Sequence, residues 1–282
     1  MMETAMPVAT RTGTRQAWDT IAPSYDRTNT TTQLWLGGEA VRRVGLGKDM
    51  RFLDVAAGSG ALSIPAARAG ASVVAIDQSP VMLDLLRARG VDERLEIETR
   101  VMDGHALALP DNTFDVVGSQ FGVMLFPDMP AGIREMARVA KPGGRVMVIA
   151  YGDPHAIEFL SWLVRSVQSA RPEFDGPPAD PPPLELQLAD PRRLHRELQT
   201  ARLRDIDVRT IVETTRFPSG YALWDWLVCS NPIVGTLLDG LTLSDAEVVD
   251  VQQTLERMVR ERAGNESEAG LTNPVHIGIG IK

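Results

Sequence analysis

The chain has one cysteine, Cys229, in 282 residues. No internal disulfide can form and a metal centre of clustered thiolates is excluded, so Cys229 reads as a packing residue. The sequence also lacks a basic tract. Its 29 lysines and arginines form no run longer than Arg42-Arg43 and Arg192-Arg193, and the net charge is −8. That balance repels a phosphate backbone, and nucleic acid is not an expected partner. No apolar run approaches the roughly 20 residues of a membrane span. The opening "MMETAMPVATRTGTRQ" has no apolar core of the kind a secretory signal needs, so a cytoplasmic location is expected. There is no internal repeat, no Ser-His-Asp grouping and no metal-ligand spacing.

What is present is a 44% hydrophobic chain, ample for a buried core, in which strands and helices alternate. "FLDV" (52–55) reads as a buried strand, 56–60 as a tight turn and 61–68 as a helix. "ASVVAID" (71–77) is a strand ending in an acid, "SPVMLDLLRARG" (79–90) a helix closed by Gly90, and "LEIETRVMD" (95–103) a strand ending in another acid. Strand 114–121, helix 129–140, turn "KPGG" (141–144) and strand 145–151 repeat the unit. Such βαβ units predict a parallel sheet with helices on both faces and a ligand beyond the strands' carboxyl ends. The second half predicts a helix at 155–170, a proline-rich loop at 171–190, a helix at 191–201 and a strand at 204–217. Two further helical stretches, "GYALWDWLVCS" and "DAEVVDVQQTLERMVRERA", precede a closing strand at 275–282.

The turn "DVAAGSGALS" raises the question of the ligand. A pyrophosphate-binding turn carries G-x-G-x-x-G, and here Ser63 stands where the third glycine belongs. Asp54, four residues before Gly58, would repel a dianionic pyrophosphate and favours a cationic amino group. Asp77 ends the second strand where a carboxylate accepts from ribose hydroxyls. Asp103 ends the third strand, placed to accept from an exocyclic amine such as that of adenine. An amino-acid head, a ribose and an adenine without phosphate describe S-adenosylmethionine.

"FLDVAAGSG", "VVAIDQSP", "DGHALALPDNTFDVV" and "REMARVAKPGGRVMV", in this order, resemble the class I S-adenosylmethionine-dependent methyltransferases, in particular their ubiquinone/menaquinone-biosynthesis-like (type 11) branch. The resemblance is strong over 15–150. It implies a doubly wound, seven-stranded, mostly parallel sheet in the order 3-2-1-4-5-7-6 with the last strand antiparallel, under a helical lid. Residues 1–282 would then form one domain, with 15–150 the donor-binding core and 151–282 completing the sheet and covering the acceptor. It also implies donor contacts from Asp54 and the Ala56, Gly58 and Gly60 backbone at the methionine end, and from Asp77 with Gln78 and Met82 at the ribose. Asp103, Gly104 and His105 would meet the adenine, Gln120 the methyl side, and Tyr25 would fold over the donor. S-adenosylhomocysteine would be the product.

The acceptor side is read from residue types. Phe121, Met124, Phe126 and Trp224 are either ordinary core or the lining of a pocket for a small, largely apolar or aromatic acceptor. His155, just past the fifth strand, is the candidate general base, or else a surface histidine. The acceptor atom is left open among oxygen, nitrogen and carbon, as is the oligomeric state. Two readings from other classes stay open beside methyl transfer: a nucleotide-dependent oxidoreductase and a non-catalytic S-adenosylmethionine-binding protein.

Overall fold

The computed structural model describes residues 15–176, 183–230, 238 and 240–282, with the backbone alone at 229 and 230. The side chain of Cys229 and the prolines between 177 and 182 lie outside the described residues.

Seven strands form one sheet. β1 (Arg51–Val55), β2 (Ser72–Asp77), β3 (Ile97–Val101), β4 (Phe114–Gln120) and β5 (Ala140–Tyr151) run parallel, joined by α3 (Ser63–Arg68), α4 (Pro80–Glu93) and α5 (Met129–Val139). Before them come α1 (Arg15–Tyr25), a π-type turn (Asp26–Thr30) and α2 (Thr31–Val44); after them come α6 (Glu158–Ala170), α7 (Pro191–Thr200), β6 (Arg204–Phe217), α8 (Gly220–Ser230), α9 (Asp245–Ala263) and β7 (Ala269–Ile281). The strand order is 3-2-1-4-5-7-6, with β7 antiparallel to both neighbours, as the sequence implies.

Burial explains the layering. β1, β2 and β4 are covered on both faces, so Phe52, Leu53, Val55, Ala75, Ile76, Val116 and Val117 are 0–1% exposed; their near-continuous apolar runs are what a parallel interior strand requires. The helix starts are locally encoded. Ser79 accepts from the Met82 N–H at 3.1 Å with Pro80 at the first helical position. Asp128 accepts from the Ala131 N–H at 3.0 Å, and Ser244 and Glu247 form a reciprocal capping box on α9. Because β1–β3 build outward in one direction and β4–β5 in the other, the chain leaves a crevice at the carboxyl ends of β1 and β4.

Several boundaries differ from the sequence reading, among them β3, which is confined to Ile97–Val101, and α6, which begins at Glu158. α4 runs past Gly90 to Glu93, because the missing side chain lets Leu95 close against it (Leu95 N–H to Gly90 carbonyl, 2.8 Å) while Arg94 takes the left-handed cap at φ 57°. α3 begins at Ser63 rather than 61, since the turn is held first by the Gly60 N–H bond to Ala57. "KPGG" belongs to β5, its irregular start stitched to the last residue through the Gly143 N–H and Lys282 carbonyl at 3.0 Å. β7 begins at Ala269, six residues early, because Pro274 is tolerated where its carbonyl accepts from the Gly152 N–H. Among the described residues no helix is long and apolar enough to cross a membrane.

β6 pairs with β7, and β7 joins the pair to the sheet through β5; two antiparallel strands do not make a stable sheet unaided. Residues 151–282 expressed without β5 are therefore expected to be unfolded by circular dichroism; a cooperative thermal transition in that fragment would refute the single-domain reading.

Candidate active site

The crevice is a cleft of about 950 Å³, counting the part open to solvent, at the carboxyl ends of the parallel strands. Its floor is the turn after β1. Ala56 and Gly58 both take positive φ (56° and 52°), which costs little at a glycine and is a strained choice at an alanine. The turn is tied to the sheet by the Ala57 N–H to the Ile76 carbonyl (2.9 Å) and the Gly58 N–H to Asp77 Oδ2 (2.8 Å). Gly60, at φ 104°, serves packing: a Cβ there would stand 2.4 Å from Leu86 of α4.

Two acids flank this turn. Asp54 is 1% exposed and, among the described residues, accepts from Ser63 alone, from its Oγ at 2.6 Å and from its main-chain N–H. No cation pairs with it among the described residues; burial, with the Asp77 charge adding to it, pushes its carboxyl up to about 7. Asp77 is also buried, and burial raises its carboxyl above the ordinary range although the Ser79 and Gly58 N–H groups bond to it. Gln78 and Met82 line the same wall.

At the other end Asp103 Oδ1 accepts both the main-chain N–H of His105 (2.9 Å) and the His105 ring (2.8 Å). Those bonds, the main-chain one foremost, hold its carboxyl below the usual range. The His105 ring stacks on Phe126 with centroids 4.4 Å apart, and Gly104 sits under that pair, where a Cβ would be 2.4 Å from Phe126. The stacked pair and Gly104 line that end of the cleft.

The remaining wall comes from the end of β4 and from the N-terminal helices. Gln120 donates weakly to the Gln33 carbonyl at 3.3 Å, and its Oε1 is buried with no partner among the described residues. Phe121 takes φ 56°, rare for a bulky residue, which swings its ring onto Tyr151 at 4.4 Å. Tyr25 closes over the turn, 3.9 Å from where a Gly58 Cβ would lie, with Trp18 edge-on to it. Burial raises the Tyr25 hydroxyl well above the ordinary range. This cover is pinned by Thr30 to Ser59 (2.5 Å), Ser79 to Asp19 (2.6 Å) and Arg89 to Asp26 (2.6 Å).

The structure thus gathers Tyr25, Asp54, Ala56, Gly58, Asp77, Gln78, Met82, Asp103, Gly104, His105, Gln120, Phe121 and Phe126 around one cleft. It does not bring four others there. Gly60 is behind the turn; Met124 is 2% exposed in the core, its carbonyl held by Gln187; Trp224 is buried on α8 away from the cleft; His155 is exposed in a short turn, with its N–H on Asp153. Trp18, Thr30 and Gln33 line the cleft without having been foreseen. They lie on α1, the π-type turn and α2, whose contacts with the cleft are long-range in sequence; Gln16-to-Gln33 carries no glycine signature to mark them.

The geometry fits the ligand implied by the sequence. Asp54 is a buried carboxylate with no cation among the described residues, Gln120 Oε1 is an orphan acceptor, and the Ala56–Gly58 turn lines the cleft together with Asp54 and Asp77. Comparison with known proteins agrees. A family model described as a methyltransferase domain matches residues 53–148. An uncharacterized protein of Mycobacterium tuberculosis is 37% identical over 148 residues, 52% of each chain; the chain spans about half the length of these first curated relatives. A demethylmenaquinone methyltransferase of Renibacterium salmoninarum is 34% identical over 178 residues, covering 61% of this chain and 73% of the relative. The fold matches the crystal structure of the YcgJ protein from Bacillus subtilis at TM-score 0.56 and 14% identity, over 87% of this chain and 97% of that one. By its sheet order, its strand-end acids and these relatives, the chain belongs to the class I S-adenosylmethionine-dependent methyltransferases.

Proposed function

We propose that this chain transfers the methyl group of S-adenosylmethionine to a small, largely apolar or aromatic acceptor in the cytoplasm. The observation that carries this is Asp54: a carboxylate that is buried, unpaired by any cation and set at the floor of the cleft is complementary to the ammonium of an amino-acid head. Asp77 would take the ribose hydroxyls, and the wall made by Gly104, His105 and Phe126 the adenine. Asp103 would present its second oxygen to the exocyclic amine. Bound there, the donor supplies a methyl group already activated on a sulfonium. The protein's own work is then to position the acceptor and exclude water, tasks that fall to Tyr25, Gln120 and Phe121. The segment from α6 to α9 would form the lid.

Demethylmenaquinone methyltransferases among the relatives support an apolar, small-molecule acceptor. The aromatic wall supports it independently, since Tyr25 and Phe121 face the cleft. Calorimetry with S-adenosylhomocysteine and NAD, followed by a labelled-methyl screen of candidate acceptors, tests the assignment. Binding of S-adenosylhomocysteine without NAD, and then turnover of a small aromatic acceptor, is expected. Preference for NAD would revive an oxidoreductase, and turnover confined to protein acceptors would overturn the small-molecule reading. Phe121→Ala is expected to raise the apparent acceptor constant by about tenfold while S-adenosylhomocysteine affinity stays within about threefold, because the ring faces the acceptor side. Equal losses for both ligands would place Phe121 in the donor wall instead.

A further inference from the structure

Two buried glutamates take no part in the donor site. Glu213 on β6 and Glu185, in the short 3-10 turn Leu184–Leu186, are each 5% exposed. Among the described residues Glu213 makes no ion pair and accepts no hydrogen bond, so that burial is what acts on its carboxyl; Glu185 has only its own main-chain N–H.

The strand register shows where Glu213 lies. Tyr151, the last residue of β5, pairs with Val275 of β7, which pairs with Ile211 of β6; two residues further on, Asn273 pairs with Glu213. Directly paired residues share a face of a sheet, as do residues two apart along a strand. Glu213 and Asn273 therefore stand on the face of Tyr151, one pleat beyond the carboxyl end of β5, which is the ligand end of the sheet. Asn273 Oδ1 is likewise buried without a partner among the described residues. Tyr151 stacks on the cleft residue Phe121, and the rings continue edge-on through Phe159 and Trp226 to Phe217. The charge of Glu213 reaches both Tyr25 and Tyr151.

Glu213 and Asn273 Oδ1 thus stand behind the residues that line the cleft, beside the aromatic rings, and Gln120 Oε1 is a further unpaired acceptor on the lining itself. A buried acceptor left unpaired costs free energy, more so when ionised; a leucine in its place would avoid the cost and a glutamine the charge. A ligand that brings a proton to this point removes it. A cationic amine would be repelled by the sulfonium beside it, whereas a hydroxyl on an aromatic ring is neutral, stacks, and must lose its proton to become an effective nucleophile.

We propose that Glu213 is the proton acceptor of the acceptor site, and that the acceptor is an aromatic compound bearing a hydroxyl group, which donates to Glu213 beside Asn273 with its ring against Phe121 and Tyr25. The proposal rests on the methyltransferase reading. In the transfer the acceptor O–H bond breaks and its proton passes to Glu213. The methyl carbon forms its bond to the acceptor oxygen as the sulfur–methyl bond breaks, and that electron pair stays on sulfur as neutral S-adenosylhomocysteine. Glu213 returns the proton to water when the ether product leaves.

The test uses the full chain, wild type and Glu213→Gln, saturated with S-adenosylhomocysteine and titrated with 2-naphthol and with 2-methoxynaphthalene. In the wild type the naphthol is expected to bind about tenfold or more tighter than its ether; in Glu213→Gln the difference falls below about threefold, with S-adenosylhomocysteine affinity within about twofold of wild type. Glu213→Gln is also expected to raise Tm at pH 8 by about 2 °C or more, because it removes a buried unpaired charge. Equal binding of the two probes, failure of the naphthol to bind, discrimination that survives in Glu213→Gln, or a lowered Tm would each overturn the proposal. Failure of S-adenosylhomocysteine itself to bind would instead overturn the methyltransferase reading on which it rests.

Discussion

Asp77→Ala is expected to weaken S-adenosylhomocysteine binding by about 1.5 to 3 kcal/mol, roughly 10- to 150-fold, the scale of charge-assisted hydrogen bonds lost from a buried site. Asp77 has two tasks in the structure. One oxygen holds the Gly58 N–H at 2.8 Å and the other the Ser79 N–H at 2.9 Å, so the carboxylate fixes both the glycine turn and the start of α4. The Gln78 main-chain N–H also faces the carboxylate; the acceptor capacity that these three N–H groups leave free is where ribose hydroxyls would donate, since Asp77 lines the cleft. The two tasks separate experimentally. If Asp77 only shaped the turn, the substitution would weaken S-adenosylhomocysteine and its 2′,3′-dideoxy analogue equally. The ribose assignment requires the natural ligand to lose more, so that the two affinities converge in the variant. Calorimetry with both ligands decides it, and an unchanged affinity for S-adenosylhomocysteine would sink the assignment outright.

The donor half of this site was legible because its signals are local. Asp54 stands one residue before the end of β1 and Asp77 ends β2, and the residues that answer them, Gly58, Ser63 and Ser79, lie in the turns and helix starts that follow those strands. The sheet order followed from motif order by resemblance. Other features left no such trace. Thr30 meets Ser59 across 29 positions from a π-type turn that no periodicity announces. "RDIDVRTIVETTRF" reads as a charged, half-exposed strand, and its acids look solvated; Glu213 is buried only because its alternation with Thr215 and Phe217 faces the aromatic rings of α6 and α8. Phe217, a large apolar residue in phase with Glu213, was the one sign of that face. His155 shows the converse. Its place after β5 is the right place in the chain for a base, but the short turn Pro154–Ala156 leaves it exposed.

The largest effect on stability is expected from pH. The free protein should lose stability between pH 5.5 and 8, opposite to the rise seen when salt-bridged acids ionise. Burial pushes the carboxyls of Asp54 and Glu213 each up to about 7, and raises those of Asp77 and Glu185 as well. In the unfolded chain the same groups ionise near pH 4. Between about pH 4 and 7 the native state therefore binds more protons than the unfolded one. Stability then falls as pH rises through that window and levels off above the folded values. The carboxyls held low, such as Glu135 beside Arg138 and Glu158 beside Thr272 and Arg262, are ionised in both states above about pH 5.5 and contribute no slope there. From pH 5.5 to 8 the two groups near 7 give a loss on the order of 2 to 4 kcal/mol, a fall in Tm of about 5 to 10 °C. S-adenosylhomocysteine should remove part of this loss, because its ammonium pairs with ionised Asp54 and draws the carboxyl down. By the same linkage its affinity should rise by about tenfold or more over the window, and Asp54→Asn should abolish that rise while flattening the Tm profile by about half. Scanning calorimetry of both proteins at constant ionic strength, with and without the ligand, reads all of these together. A Tm that climbs from pH 5.5 to 8, or a ligand affinity indifferent to pH in the wild type, would show that Asp54 is not the uncompensated acid at the floor of the cleft.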